Sequence, residues 1–228
     1  MSGGSVVAEP GQRTYVQFGA GFSAPPGWLS YDVSPTLRVQ KLPLVGPALA
    51  RLSGNADPFP AALRYGDIVK GLPLAPGSVD ALYASHVLEH LALADMRRAL
   101  ANAFALLRPG GVFRLIVPDL LRRARDYVAR AERGDAEASH AFMRGTYLGR
   151  EARPAGVLGR LRAIVGNSEH LWMWDYPAMA EELKRAGFVD IRRAEMGDAG
   201  DPMFDLVEDR VRFVDGDIVE VAIASRKP

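Results

Sequence analysis

The chain has 228 residues and a formal net charge of +1, from 28 basic and 27 acidic side chains. It contains no cysteine, which excludes a disulfide scaffold, thiolate catalysis and thiolate metal ligands. Its length suits one α/β domain, so we expect a single domain over residues 1–228. No apolar run approaches the roughly 18 residues of a membrane span and no basic-then-apolar leader is present, so we expect a cytoplasmic protein.

Three short strands are predicted in the first part of the chain, and each is followed by a glycine turn or an acid. They are residues 15–18 before Gly19-Ala20-Gly21, residues 28–31 before Asp32, and residues 63–66 before Asp67. Only about thirteen residues separate the glycine turn from Asp32, too few for a full crossover helix. We therefore expect the first helix to be reduced to a turn. Residues 35–61 are rich in proline and predict an irregular flap, with a short helix around residues 47–52.

The clearest pattern is a strand, a helix and a strand over residues 80–119. An apolar run ends at Ser85-His86, and apolar residues then recur from Met96 to Leu107 at the spacing of an amphipathic helix. The turn Pro109-Gly110-Gly111 is predicted to end that helix. Residues 112–117 follow it and are apolar enough for a strand that is buried on both faces.

This order of elements predicts a right-handed parallel crossover. Ligands of parallel sheets bind beyond the carboxyl ends of the strands. Here those ends carry Ser85-His86 and Pro118-Asp119, so we expect the chemistry to lie beside them.

The next part of the chain predicts a helical insertion or cap over residues 120–175, rich in arginine. Residues 120–165 hold ten arginines, no lysine and five acids, for a net charge of +5. Guanidinium groups pair bidentately with phosphate and carboxylate, so this segment either faces an anionic substrate or is a solvated helical face. The aromatic segment from His170 to Asp175 leads into a helix at 177–186. Strands are predicted at 188–194 and 219–224.

The glycine turn and the two acids form an ordered series along the first three strands. A glycine turn lets the backbone approach a ligand, and an acid after the second strand can accept both hydroxyls of a ribose. An acid after the third strand can accept from an adenine amino group. The turn lacks the third glycine and the full helix that would hold a pyrophosphate. The series therefore indicates a nucleoside ligand without phosphates.

With these motifs, the chain resembles a class I S-adenosylmethionine-dependent methyltransferase. It is most similar in pattern to a bacterial branch of predicted methyltransferases with SHxLEH, LRPGG and VPDL motifs. The matching segments are Gly19-Ala20-Gly21, Pro26-Gly27-Trp28, Asp32, Gly71-Leu72-Pro73, Ser85 to His90, Leu107 to Gly111 and Val117 to Leu120, followed by HLWMWD at residue 170 and LKRAGFVDIRR at residue 183. Two positions depart from the pattern: Ala20 stands where cysteine is common, and Phe18 where a smaller aliphatic residue is common.

The resemblance implies an α/β Rossmann-like methyltransferase fold: a mostly parallel seven-stranded sheet with an antiparallel last strand, plus the helical insertion. It implies S-adenosylmethionine as the cofactor, bound by Gly19, Gly21, Asp32, Asp67, Ile68, Ser85 and His86. It places the acceptor pocket near the late aromatic segment, where Trp174, Asp175 and Asp119 become candidate substrate residues. His170, then His86, are the candidate catalytic bases for a hydroxyl acceptor.

The segment from His86 to His90 also spells the His-X-X-Glu-His motif of inverted zinc peptidases. Those enzymes place the motif well within a helix, whereas here it follows a strand, so we disfavour that interpretation. Some O-methyltransferases place a Glu-X-X-Glu-His metal site here, and His86 replaces its first carboxylate. We favour hydrogen bonding that holds the helix start for Glu89 and His90. We assign no metal ligand, and leave open whether a divalent ion binds near them.

Our prediction is methyl transfer by in-line displacement to a small or carrier-attached metabolite, which could be anionic. A glycan or nucleotide-sugar acceptor is suggested by the resemblance alone. A nucleic-acid methyltransferase is the alternative, disfavoured because the fourth strand ends in Ser-His and the charge is only locally basic. A degenerate cofactor-binding module that serves as a partner subunit is the non-enzyme alternative. An NAD-dependent oxidoreductase is disfavoured by the truncated first helix. The oligomeric state is left unassigned.

Overall fold

The structure is a computed structural model that describes residues 13–41, 58–152 and 169–228. Its main sheet has seven strands: β1 (Tyr15–Phe18), β2 (Trp28–Asp32), β3 (Arg64–Tyr65), β4 (Val79–Ser85), β5 (Leu107–Val117), β6 (Val189–Arg193) and β9 (Val221–Arg226). A small hairpin is formed by β7 (Val214–Asp215) and β8 (Ile218–Val219). The helices are α1 (Pro35–Gln40), α2 (Leu93–Leu106), α3 (Leu120–Glu132), α4 (Ala138–Gly145), α5 (Tyr176–Arg185) and α6 (Arg210–Phe213), with 3-10 turns at Leu88–His90 and Phe204–Leu206.

The strand order in the main sheet is β3-β2-β1-β4-β5-β9-β6. The first five strands pair in parallel, while β9 pairs antiparallel with both β5 and β6. The predicted seven-stranded, mostly parallel sheet with an antiparallel last strand is therefore confirmed. The order reverses between β1 and β4, which is where open α/β sheets bind their ligands.

The two faces of the sheet bury different sets of side chains, because successive residues of a strand point to opposite faces. One face packs against α2 and α5 through residues such as Leu82, Met96 and Leu183. The other face packs against residues 203–213, where Phe204 meets Trp28 at a ring separation of 5.5 Å. This late segment covers the side of the sheet that the shortened first crossover leaves free.

The predicted flap over residues 35–61 is only partly irregular. Residues 35–40 form α1, which begins with proline in its first turn, a position where proline's fixed φ favours a helix. The side chain of Leu37 is buried against Phe59 and Leu63. Residues 42–57 lie outside the described part of the chain, and with them the short helix predicted around 47–52.

Two predicted boundaries are wrong by a few residues. The helix over residues 93–106 ends before Leu107, which already pairs with Val79, so the Pro-Gly-Gly turn lies inside β5 next to a register irregularity. The last main strand begins at Val221 rather than 219, because Val219 pairs with Val214 in the small hairpin. The hairpin itself and the 3-10 turns were not predicted.

The predicted helix after Asp119 is confirmed as α3, and α4 packs on it through Tyr127 and Phe142, whose rings lie 5.5 Å apart. The role of residues 120–175 as a cap stays a prediction, and residues 153–168 lie outside the described part. Over the three described ranges, none of the helices has both the length and the apolar character needed to cross a membrane.

Candidate functional site

The parallel register brings the predicted cofactor residues to one edge of the sheet. Phe18 lies opposite Tyr31, and Asp32 lies opposite Tyr65, so the glycine turn, Asp32 and Asp67 follow neighbouring strand ends. The strand β4, next to β1 on its other side, ends at Ser85. Four chain segments thus present their polar residues at the carboxyl edge, as the sequence predicts.

The glycine turn has a left-handed backbone at both of its glycines, with φ of 64° at Gly19 and 56° at Gly21. A Cβ at Gly19 would lie 2.1 Å from a methyl carbon of Val87, so the turn packs directly on the segment after β4. A Cβ at Gly21 would meet nothing within 4 Å. The two glycines therefore differ: the first is required by packing inside the protein, and the second faces open space.

We expect Gly19→Ala to lower the free energy of unfolding by about 2–3 kcal/mol, from the left-handed backbone and the clash with Val87. We expect Gly21→Ala to cost only about 1 kcal/mol, because only the backbone term applies. Urea denaturation of both variants measures the difference. Adding Val87→Ala to Gly19→Ala should recover part of the loss, and equal costs for the two single variants would contradict this account.

The buried carboxylate of Asp32 ties the turn to the end of β2. One oxygen accepts from the backbone N–H of Gly21 at 2.8 Å, and the other accepts from the backbone N–H and the hydroxyl of Ser34. A carboxylate offers about four acceptor sites, so capacity for a further donor remains. Asp67 accepts from the backbone N–H of Val69 at 3.0 Å and contacts Lys70 at 3.0 Å.

Ile68 is buried beside Asp67, and its carbonyl accepts from the side chain of Asn102 at 2.8 Å. The loop after β3 is therefore fixed to α2, with an apolar side chain next to the acid. An acid next to an apolar side chain is the combination that the sequence predicts beside an adenine ring.

A cavity of about 430 Å³ opens between the ends of β1 and β4 and the late segment. Its floor includes Gln17, Gly19 and Ser85, and its opposite wall comes from residues 206–212. The hydroxyls of Tyr83 and Ser85 are buried here and have no hydrogen-bond partner among the residues that the structure describes. Burial raises the pKa of Tyr83 above its ordinary value, so its hydroxyl remains a donor at neutral pH.

The residues at this edge have free acceptor and donor groups for the implied cofactor. The turn faces open space at Gly21, the neighbouring carboxylate has acceptor capacity left, and two donors without a partner line the adjoining cavity. An adenosyl group with a methionine part needs an acid for its ribose hydroxyls and polar groups for its amino acid end. The donor set fits S-adenosylmethionine.

Three histidines surround the fully buried carboxylate of Glu89. The nearest ring nitrogens of His86, His90 and His170 lie 3.4, 4.0 and 4.0 Å from one carboxylate oxygen. Neither oxygen of Glu89 has a hydrogen-bond partner within the described ranges, so the favoured interpretation, in which hydrogen bonds of Glu89 hold the helix start, is wrong for this residue. The helix itself starts later, at Leu93.

The two predicted bases occupy different environments. His86 has a left-handed backbone with φ of 54°, a strained conformation for a non-glycine residue, and its Nε2 lies 3.0 Å from the carbonyl of Arg212. Burial lowers the pKa of His86, but the Glu89 carboxylate and that carbonyl raise the pKa more, so it lies above its ordinary value. His170 is buried against Met173 and Tyr147, and burial lowers the pKa of His170.

The three predicted substrate residues lie together, and none of them is among the residues that line this cavity. Asp119 and Asp175 accept from the backbone at the starts of α3 and α5, at 3.1 and 2.9 Å. Trp174 is buried in the core, bridges to Asp119 along the backbone, and has an indole N–H without a partner in the described part of the chain. Their role in substrate binding stays a prediction.

The late segment over residues 196–212 contributes half of the cavity lining and was not identified from the sequence. Its signal was weak, because it is a run of short turns with no apolar periodicity. Gln17 was also missed: it is buried, and its amide donates to the hydroxyl of Ser30 at 2.8 Å and to the carbonyl of Ser23 at 3.1 Å. The sequence signal for Gln17 was a single amide side chain within an otherwise apolar strand.

Several arginines of the basic segment are paired within the protein. Arg123 is buried and bonds bidentately to Glu220, and Arg130, Arg144 and Arg150 each contact an acid. The side chains of Arg210 and Arg212, at the cavity, form no ion pair with any residue in the described ranges. Among the residues that the structure describes, the free positive charge at the cavity therefore comes from α6.

Comparison with known proteins agrees with this geometry. Residues 16–115 match the family model described as a methyltransferase domain. The strand order, the glycine turn and this match together define a Rossmann-like methyltransferase fold. S-adenosylmethionine is the cofactor that this domain implies.

The chain is also similar to particular proteins. It is 32% identical over 154 residues to an uncharacterized 37.1 kDa protein in transposon TN4556 of Streptomyces fradiae, which covers 67% of this chain and 41% of that protein. A SAM-dependent methyltransferase from Archaeoglobus fulgidus is 10% identical, covering 95% of this chain and 87% of that one, with a TM-score of 0.48. One from Thermotoga maritima is 16% identical, covering 98% and 84%, with a TM-score of 0.46. The chain spans less than half of the Streptomyces relative.

Proposed function

We propose that this chain transfers a methyl group from S-adenosylmethionine to a small or carrier-attached acceptor with an anionic group. The observation that carries the proposal is the convergence of the glycine turn, Asp32, Asp67 and Ser85 at the edge where the cavity opens. Bound S-adenosylmethionine supplies an electrophilic methyl group for in-line displacement. Catalysis of such a step is mostly alignment of the partners and exclusion of water.

The residues at this edge have distinct tasks under this proposal. Asp32 accepts from a ribose hydroxyl at the acceptor site that the donors from Gly21 and Ser34 leave free. Asp67 and Ile68 flank the adenine. Ser85 and Tyr83 donate into the cavity, where they orient the amino acid end of the cofactor or the acceptor.

The anionic acceptor is supported by the charges of the cavity wall. Glu208 also lines the cavity, but its carboxylate is held by Arg114 at 2.7 Å, and Asp209 caps α6 through the N–H of Val211. Arg210 and Arg212 keep their charge available to a ligand. A carboxylate or phosphate of the acceptor would accept charge-assisted hydrogen bonds from them.

The catalytic base remains a proposal that depends on the acceptor. A hydroxyl needs a base, whereas an amine that arrives neutral does not. The ring nitrogens of His86 face Glu89 and the Arg212 carbonyl, and His170 is enclosed deeper in the protein, so either residue would have to change its contacts to accept a proton from a ligand in the cavity. The predicted cytoplasmic location stays a prediction.

The first test is calorimetric titration with S-adenosylmethionine and S-adenosylhomocysteine, with NADH as the comparison ligand. We expect both adenosyl ligands to bind with one site per chain and NADH to give no heat. Absence of binding by both adenosyl compounds would overturn the proposal and support a partner subunit without transfer activity.

The acceptor is tested by following S-adenosylhomocysteine formation with a panel of anionic and neutral candidates. For an anionic acceptor we expect Arg212→Gln to raise KM about tenfold, the effect of one lost charge-assisted hydrogen bond, with little change in kcat. Arg185→Gln, which removes a surface ion pair on α5, is the matched control and should leave KM unchanged. Equal KM values for Arg212→Gln and the unmodified chain would argue against an anionic group at this position.

A further inference from the structure

In the cluster around Glu89, imidazole nitrogens of neighbouring histidines face the oxygens of the Glu89 carboxylate. Nδ1 of His90 lies 2.9 Å from the carbonyl of Glu169, which is an acceptor only, so the ring proton sits on Nδ1 and donates to that oxygen. In the neutral ring, Nε2 of His90 then presents a lone pair to the Glu89 carboxylate at 4.0 Å. His86 also faces this carboxylate, with Nδ1 at 3.4 Å, while its Nε2 lies 3.0 Å from the Arg212 carbonyl.

A buried carboxylate facing imidazole lone pairs needs a positive charge, since uncompensated burial of a charged group is strongly unfavourable. The side chain of Glu89 is fully buried, and both of its oxygens are without a hydrogen-bond donor throughout the described ranges. No lysine or arginine of those ranges forms an ion pair with it. A cation bound between the carboxylate and the ring nitrogens of His90 and His170 compensates the buried charge and accepts these lone pairs.

We propose that Glu89, His90 and His170 bind one divalent transition-metal ion. One ligand atom from each lies within 4.8 Å of the others. A metal ion equidistant from three atoms at such spacing would lie about 2.5 Å from each. If the three ligand atoms moved inward by a few tenths of an ångström, these distances would become the roughly 2.0–2.2 Å of zinc bonds to nitrogen and oxygen. Two imidazoles and one carboxylate suit Zn²⁺ and similar ions, and leave coordination positions open.

The surroundings hold these ligands in place. The His90 N–H bond to a backbone carbonyl fixes the ring orientation and tautomer, as is usual for metal-binding histidines. The backbone N–H groups of Leu171 and Trp172 donate to the carbonyl of Glu89 at 2.7 and 3.1 Å, which brings the segment containing His170 to the carboxylate. The rings of His90 and His170 lie 4.9 Å apart in an edge-on arrangement.

This site goes beyond the proposed methyl transfer and does not depend on it. The metal site lies next to the cavity. His86 faces Glu89 on one side, and its neighbours Ser85 and Arg212 both line the cavity. Metal binding can be measured without any acceptor or cofactor. Failure of the metal site would therefore leave the adenosyl-binding experiment unaffected.

The experiment uses the full chain without a polyhistidine tag, treated with a chelator and then titrated with Zn²⁺ in a calorimeter. We expect about one tight site per chain, weakened on the order of 100-fold or more by Glu89→Gln or His170→Asn, since both remove a direct ligand. His140→Asn is the matched control, because His140 is exposed on α4, and it should bind like the unmodified protein. Circular dichroism reports whether each variant is folded.

Cobalt gives an independent readout that does not depend on the variants. Co²⁺ added to the unmodified protein should give a visible absorption band of a low-coordinate site, and Zn²⁺ should displace it at one equivalent. The proposal is overturned if Zn²⁺ shows no saturable binding and Co²⁺ gives only the spectrum of the hydrated ion. It is equally overturned if the folded His170→Asn variant binds Zn²⁺ as tightly as the His140→Asn control does.

Discussion

Asp32→Asn is expected to lower the affinity for S-adenosylhomocysteine on the order of tenfold, with a parallel loss of methyl transfer. One hydrogen bond from a ribose hydroxyl to a carboxylate contributes about 1.5–3 kcal/mol, and a neutral amide keeps only part of this energy. The substitution also weakens the link between β2 and the glycine turn, where Asp32 accepts from Gly21 at 2.8 Å. Calorimetry measures the affinity, and thermal unfolding of the free protein separates binding from folding.

Two controls distinguish the role of the carboxylate from its structural links. Ser34→Ala removes the hydroxyl that contacts Asp32 but leaves the carboxylate, so affinity should change little. Asp190→Asn removes an exposed acid on β6, at the opposite edge of the sheet, and should have no effect. If Asp32→Asn binds as tightly as these controls, the ribose assignment is wrong.

The sequence predicted the carboxyl edge of the sheet because each of its parts is local. A strand followed by glycine or an acid is visible within a few residues, and the parallel order follows from the crossover between β4 and β5. The glycine turn, Asp32, Asp67 and Ser85 therefore came together as expected. Their contacts with a ligand remain predictions, as does the assignment of His170 and His86 as bases.

The cavity wall could not be predicted, because it depends on contacts between distant parts of the chain. Residues 196–212 are positioned by Arg114, more than eighty residues earlier, and by Trp28, whose indole N–H donates to the carbonyl of Met203 at 2.8 Å. Single turns without periodicity give no signal for such pairing. The contact between His170 and Glu89 was missed for the same reason. It depends on hydrogen bonds between distant segments, in which the backbone N–H groups of Leu171 and Trp172 donate to the carbonyl of Glu89.

Arg114 gives the second large expected effect, on the stability of the whole domain. Its guanidinium is 2% exposed and bonds to Glu208 and Asp198 at 2.7 Å, and to the carbonyl of Glu195 at 3.1 Å. It also lies 5.3 Å from the centre of the Phe204 ring. A single arginine on β5 thus holds both the start and the end of the segment that closes the cavity.

We expect Arg114→Met to lower the free energy of unfolding by about 3–5 kcal/mol, because it leaves the Glu208 carboxylate buried without an ion-pair partner, with only the backbone N–H of Gly197 at 3.4 Å. Burial already raises the pKa of Glu208 above its ordinary value in spite of Arg114. Arg192→Met is the matched control: Arg192 contacts the same Asp198 but is half exposed, so its loss should cost less than about 1 kcal/mol. Urea denaturation monitored by tryptophan fluorescence measures both.

The double variant Arg114→Met with Glu208→Leu decides whether the loss comes from the unpaired charge. Replacing both partners of a buried ion pair with apolar side chains is often close to neutral, so the double variant should recover most of the stability that Arg114→Met loses. Because Glu208 and Val207 line the cavity, recovered stability should bring back binding of S-adenosylhomocysteine as well. A double variant as unstable as Arg114→Met would show that the hydrogen bonds to Asp198 and Glu195, rather than the Glu208 charge, hold this segment on the sheet.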